Sequence, residues 1–137
     1  MDAPAAARIM VIEDDVDLMR LMLHILTSAG FQVVQTYGGV DALRKVKAQR
    51  PDLVLTDLAM PGMSGVEVIA QLKGDPETRH IPIVAVTAHI WDFIAQAANQ
   101  AGCDSLVGKP FNSVRLLQEV VKYVTLPGKI PPRPDAR

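Results

Sequence analysis

The chain has 137 residues, 49% of them apolar, and a formal net charge of −1 at pH 7. Such a chain can bury one globular core; it is too apolar for a disordered tail and too balanced in charge to be drawn to nucleic acid or anionic lipid. No apolar run approaches the roughly 20 residues of a membrane span, and the one cysteine, Cys103, has no partner for an internal disulfide. With Asp2 in place of a basic leader start, these features lead us to expect a cytoplasmic protein.

Five strand-like runs alternate with five helical patterns. Arg8 to Ile12 is nearly all apolar, as a strand covered on both faces should be. The acidic run Glu13-Asp14-Asp15 follows. Leu18, Leu21, Met22 and Ile25 recur at helical spacing, which predicts a helix from Asp17 to Ser28, ended by Gly30 in a left-handed conformation. Phe31 to Thr36 reads as the second strand. Val40 to Gln49 is the second helix, with Leu43, Val46 and Lys47 at neighbouring positions, and Arg50-Pro51 stops it.

Leu53 to Thr56 is the third strand and ends at Asp57. Pro61, Gly62 and Gly65 mark a loop. A helix from Val66 to Lys73 should turn Val66, Ile69 and Leu72 inward, and Gly74 to His80 is a polar loop. Ile81 to Val86 is the fourth strand, Ile90 to Ala101 the fourth helix, closed by Gly102, and Ser105 to Gly108 a short fifth strand. Asn112 or Ser113 caps the last helix, with Val114, Leu117, Val121 and Val124 assigned to the core. The end, Leu126 to Arg137, holds four prolines in twelve residues and is expected to be mobile. The division is thus an extension over 1–7, a domain over 8–125 and a Pro-rich tail over 126–137. The alternation implies an α/β, flavodoxin-like (βα)5 fold. Its parallel five-stranded sheet has order 2-1-3-4-5 and helices on both faces.

In that topology the winding reverses between strands one and three, and ligands bind beyond the carboxyl ends of those strands. Glu13, Asp14 and Asp57 therefore meet at one rim. At an effective dielectric near 20, two such charges about 4 Å apart repel by on the order of 4 kcal/mol. The pocket must raise a pKa or hold a cation. Hard oxygen ligands without His or Cys nearby favour Mg²⁺. Thr87 ends strand four and Lys109 follows strand five, so both reach the same rim. The lysine can pair with Asp57 and then with phosphoryl oxygens, and Lys109-Pro110 is a candidate cis peptide.

Taken together, Glu13-Asp14-Asp15, Asp57 with Met60-Pro61-Gly62-Met63-Ser64-Gly65, Thr87-Ala88 and Lys109-Pro110-Phe111 resemble the response-regulator receiver family, typified by the bacterial chemotaxis regulator. The resemblance runs from Arg8 to Val124. It implies Asp57 as the phosphorylated residue and Glu13 and Asp14 as acidic metal-site residues, with the Ala59 backbone carbonyl as a further ligand. It implies Mg²⁺, with Mn²⁺ as a substitute. Thr87 would be the switch hydroxyl and Lys109 the phosphate-pairing cation. The donor would be a sensor histidine kinase or a phosphotransfer protein. A downstream protein would read the result, and neither nucleic acid nor membrane would be bound by this monomer or weak dimer. One departure is Leu106, where many members carry an aromatic ring that moves with the threonine.

Other residues have plainer readings. Asp15 and Asp17 complement the start of the first helix and stay outside the metal shell. His24, His80 and His89 are surface or partly buried residues rather than ligands, and Cys103 is a packing residue. Trp91 is open between core packing and a partner surface. Lys129, Arg133 and Arg137 are read as solvated. A phosphatase with an aspartyl-phosphate intermediate needs an acid two residues after its nucleophile, where this chain has Ala59. A flavin or nucleotide binder needs a Gly or Ser/Thr-rich loop where this chain has Glu13-Asp14-Asp15. A degenerate receiver would lack a site residue. With nothing beyond Val124 resembling an output domain, docking or phosphate relay is the expected output. The Met1 start and loose tail favour a stand-alone regulator over a piece of a hybrid kinase.

Overall fold

Apolar runs with no polar alternation need cover on both faces, and the chain supplies it. The computed structural model describes residues 6–88 and 90–126. Its strands are β1 (Arg8–Ile12), β2 (Gln32–Thr36), β3 (Leu53–Thr56), β4 (Ile83–Thr87) and β5 (Ser105–Gly108). Its helices are α1 (Val16–Ser28), α2 (Gly39–Gln49), α3 (Gly65–Gly74), α4 (Phe93–Ala101) and α5 (Ser113–Val120). The strands form one parallel sheet in the order β2-β1-β3-β4-β5, as expected. Residues 127–137 of the tail expected over 126–137, and the position expected for His89, lie outside the described residues.

Side chains alternate along each strand, so each strand feeds two cores. Ile9, Val11, Leu53, Leu55, Val84 and Val86 face α1 and α5, meeting Met22, Leu26, Leu116 and Val120. Met10, Ile12, Val54, Ile83 and Ala85 face α2, α3 and α4, meeting Val46, Ile69, Leu72 and Ala98. All the helices but α2, whose cap position is Gly38, begin on side-chain caps. Asp15 Oδ1 accepts from the Asp17 and Leu18 amides at 2.9 and 3.2 Å, which is the helix-start role expected of it. Asn112 Oδ1 accepts from the Arg115 amide at 2.8 Å. Gly30 and Gly102 close turns with φ of 97° and 107°, a region that favours glycine.

Several boundaries and faces differ from expectation. β4 begins at Ile83 rather than Ile81, after Pro82, which has no amide to give the ladder. α4 begins at Phe93 rather than Ile90 because Asp92 caps it, accepting from the Ile94 amide at 3.0 Å. Val68 rather than Val66 is fully buried in α3, and Leu21 of α1 is exposed. The largest correction is on α5. Val114 and Val121 are exposed, while Leu116, Glu119 and Val120 face the sheet. Leu117 and Val124 pack against that core as expected, and Glu119 is the charged residue buried in the stripe.

Candidate functional site

The carboxyl ends of β1, β3, β4 and β5 deliver one side chain or more each to a common rim. Glu13 leaves β1 with its amide donating to the Thr36 carbonyl at 3.0 Å, so the residue stays in line with the sheet and is 1% exposed. Asp14 turns outward and is exposed. Asp57 leaves β3 with its amide donating to the Ile12 carbonyl at 3.0 Å, and it is 7% exposed. Its Oδ1 accepts from the Leu58 amide at 2.7 Å and lies 3.4 Å from the Ala59 amide. These main-chain donors orient the carboxylate, and nothing in residue type or spacing signals them.

One ligand oxygen from each of Glu13, Asp14 and Asp57 lies within 4.8 Å of the others. The acids expected to converge from the ends of β1 and β3 do so. Lys109 follows β5 through a cis Lys109-Pro110 peptide, and its amide donates to the Thr87 carbonyl at 2.9 Å. Its ammonium lies 3.0 Å from Glu13 Oε1 and 3.3 Å from Asp57 Oδ2. It therefore spans the two buried carboxylates. Sequence reasoning assigned it to Asp57 alone; the contact with Glu13 follows from β5 sitting two strands away from β3, with the lysine reaching across the rim. Thr87 ends β4 fully buried.

Burial is the main influence pushing the Glu13 carboxyl above its ordinary pKa, with the Asp57 charge adding to it. The Lys109 and Asp15 hydrogen bonds only partly offset the rise. Burial lowers the Lys109 pKa, but the hydrogen bond to Glu13 and the Asp57 charge outweigh it, and the net shift is upward. The lysine is thus held as a cation.

One ammonium against three carboxylates leaves negative charge in excess. Oxygen donors with no His or Cys among them match a hard divalent cation. Asp14 and Ala59 face solvent beside the two buried acids, so the rim is open to a metal that keeps part of its water shell. Asp15 is engaged as the α1 cap, and its own amide donates to Glu13 Oε2 at 3.2 Å. Ala88, on the other side of Thr87, is exposed as well. Trp91 is 91% exposed and Phe93 is exposed beside it, which removes the core reading for Trp91.

The chain was compared with known proteins. The model of the response regulator receiver domain matches residues 9–121. The polar-differentiation response regulator DivK of Brucella anthropi is 34% identical over 116 residues, covering 85% of this chain and 94% of that protein. The chemotaxis protein CheY4 of Vibrio cholerae superposes with a TM-score of 0.83 at 26% identity, covering 88% of this chain and all of that one. A receiver domain of a sensor histidine kinase from Pseudomonas aeruginosa PAO1, with a magnesium ion coordinated in its active site cleft, superposes with a TM-score of 0.82 at 26% identity, covering 87% of this chain and 98% of that one. No helix among the described residues is long and apolar enough to cross a membrane. From the residues at its rim to the order of its strands, this chain belongs to the response regulator receiver domain family of two-component signalling.

Proposed function

We propose that residues 8–125 form a phosphoacceptor unit in which Asp57 takes a phosphoryl group from a phosphohistidine. The supporting observation is the meeting of Glu13, Asp14 and Asp57 within 4.8 Å, with Lys109 bridging Glu13 and Asp57. An Asp57 carboxylate oxygen forms the new bond to phosphorus. The P–N bond breaks, and its electron pair returns to the imidazole nitrogen of the donor. The product is an acyl phosphate on Asp57.

Each neighbour has a part in that step. The Leu58 and Ala59 amides hold Oδ1 and so aim the carboxylate. The Lys109 ammonium moves from pairing with Asp57 to pairing with the phosphoryl oxygens, a charge-assisted contact it can make without changing protonation. The Thr87 hydroxyl donates to a phosphoryl oxygen once one is present. Glu13, Asp14, Asp57 and the Ala59 carbonyl would hold Mg²⁺, for which Mn²⁺ can substitute. When bound, the ion offsets the repulsion between an anionic donor and an anionic acceptor and stabilises the charge on the transferring group.

The donor is a sensor kinase or a phosphotransfer protein, and the acceptor acts in the cytoplasm as a monomer or weak dimer. The output passes to a protein, not to nucleic acid or a membrane. The face formed by α4, β5 and α5 carries it, near Leu106, which packs against the α3 and α4 side of the core. With no ring at Leu106, the exposed Trp91 and Phe93 in the segment after Thr87 are the aromatic groups that a displaced β4–α4 connection would reposition. The reading is tested by mass spectrometry after incubation with acetyl phosphate and Mg²⁺. The native chain should gain one phosphoryl mass and Asp57→Ala none. An equal gain in both removes Asp57 from the role.

A further inference from the structure

Gly65 opens α3 directly after its cap, Ser64, whose Oγ accepts from the Glu67 amide at 3.3 Å. Glycine is a poor helix former, and Gly65 is not among the residues with positive φ. Neither backbone freedom nor helix propensity accounts for it here. Space does. A Cβ built on Gly65 would lie 1.8 Å from the Asp57 carbonyl oxygen, 2.8 Å from the Asp57 carbonyl carbon and 2.8 Å from the Leu58 Cα. These are main-chain atoms of the acceptor residue and its neighbour, so no side chain can rotate away to make room.

The atoms it would meet are themselves fixed. The Asp57 amide donates to the Ile12 carbonyl at 3.0 Å. The Asp57 carbonyl accepts from Thr56 Oγ1 at 2.8 Å. The Gly65 amide donates to the Leu58 carbonyl at 2.9 Å, closing the connection from residue 58 to 65. Leu58 thus ties together two contacts through its two flanking peptide groups. Its carbonyl is held by Gly65, and its amide holds Asp57 Oδ1 at 2.7 Å.

We propose that Gly65 is a positioning residue for the Asp57 carboxylate. Its bare Cα lets the start of α3 rest on the Asp57 main chain and thereby keeps the Leu58 and Ala59 amides on Oδ1. Any side chain at 65 drives α3 and the 58–65 connection away from β3, and the carboxylate loses its aim. The rate readout below rests on the phosphoacceptor reading; the amide readout does not.

The test compares Gly65→Ala with two controls in the same helix. Ser64→Ala removes the cap without adding an atom near Asp57. Gly74→Ala adds a Cβ that meets nothing within 4 Å. Amide shifts of Leu58 and Ala59 are recorded without donor or metal, and phosphoryl uptake from acetyl phosphate with Mg²⁺ is timed by mass. Gly65→Ala should move the Leu58 amide proton upfield and slow uptake about a hundredfold, the size of a misplacement of roughly 1 Å. Both controls should keep the native Leu58 shift and stay within about threefold in rate. Native shift and rate in Gly65→Ala overturn the proposal, as does an equal loss in Ser64→Ala. Should Gly65→Ala fail to fold, the native chain decides. On Mg²⁺ titration the Gly65 amide should shift with the same midpoint as Leu58 and Ala59 while Gly74 stays still; a stationary Gly65 overturns the proposal. If the native chain takes up no phosphoryl group, the phosphoacceptor reading fails, and the Leu58 shift in Gly65→Ala alone judges the role of Gly65.

Discussion

Buried acids are kept at the rim by what surrounds them. Glu13 and Asp57 share the Lys109 ammonium, and the Leu58 and Ala59 amides turn toward Asp57 Oδ1. The acids, Thr87 and Lys109 were legible in the sequence because residue type and strand-end position are both readable there. The main-chain donors were not, since every residue has an amide and only the local path of the chain decides where it points. Thr87 is fully buried at the end of β4, and its proposed part is to answer a phosphoryl group rather than to attract one. Thr87→Ala should therefore still be phosphorylated on Asp57, within about tenfold of the native rate for loss of one hydroxyl contact. Amide spectra with and without a phosphate mimic check the other half. The changes over α4 and β5 should fade in the variant, and changes of native size would take the switching role from Thr87.

At the level of elements, side-chain caps mark most helix starts, and the inward face of α5 carries a paired charge beside Leu116 and Val120. Asp15, Asp92 and Asn112 each begin a helix with a side-chain oxygen on an amide, and Asn112 was one of the two caps, with Ser113, that the sequence offered for α5. The inward stripe of α5 was read only in part: Leu117 and Val124 pack against the core, while Val114 and Val121 do not. Glu119 is 2% exposed, held by Arg115 at 2.7 Å and Lys122 at 3.0 Å. A search for apolar spacing passes over a glutamate, so it selected Val114 and Val121, which lie outside. Burial raises the Glu119 pKa, but the hydrogen bonds from Arg115 and Lys122 outweigh it and the net shift is downward. A depressed folded pKa means stability that is present above the unfolded value of 4.5 and lost as pH falls through the folded value. Glu119→Gln should cost about 1.5–3 kcal/mol at pH 7, the range for hydrogen bonds to charged groups. Urea unfolding across pH checks this: the gap between native and variant should be present above pH 4.5 and close as pH falls through the depressed folded value. A gap that stays constant with pH would show that the Glu119 charge contributes nothing.

The molecule as a whole places its chemistry at one edge of a sheet covered on both faces. Strand order brings β1 beside β3, which is why residues far apart in sequence share a metal-sized space. That much follows from the alternation of strands and helices, because a parallel five-stranded sheet has few allowed orders. A cation that binds only the folded chain must stabilise it. At a hundredfold excess over its dissociation constant, Mg²⁺ should add about 2.7 kcal/mol, raising the Tm by about 10 °C for a domain of this size. Calorimetry with and without Mg²⁺ checks it. The rise should shrink in Asp14→Asn, whose exposed side chain takes little part in packing. A native Tm indifferent to Mg²⁺ would speak against the metal site.

The acceptor atom can be located chemically. Borohydride reduces an aspartyl phosphate to homoserine, marking the residue that carried the phosphoryl group, and tandem mass spectrometry of the digested chain then reads its position. After acetyl phosphate and Mg²⁺, homoserine should stand at Asp57, with none at Asp14 or Asp15 and none when Mg²⁺ is chelated. Homoserine at another aspartate, or a stable phosphoryl mass that leaves Asp57 unreduced, would contradict the account.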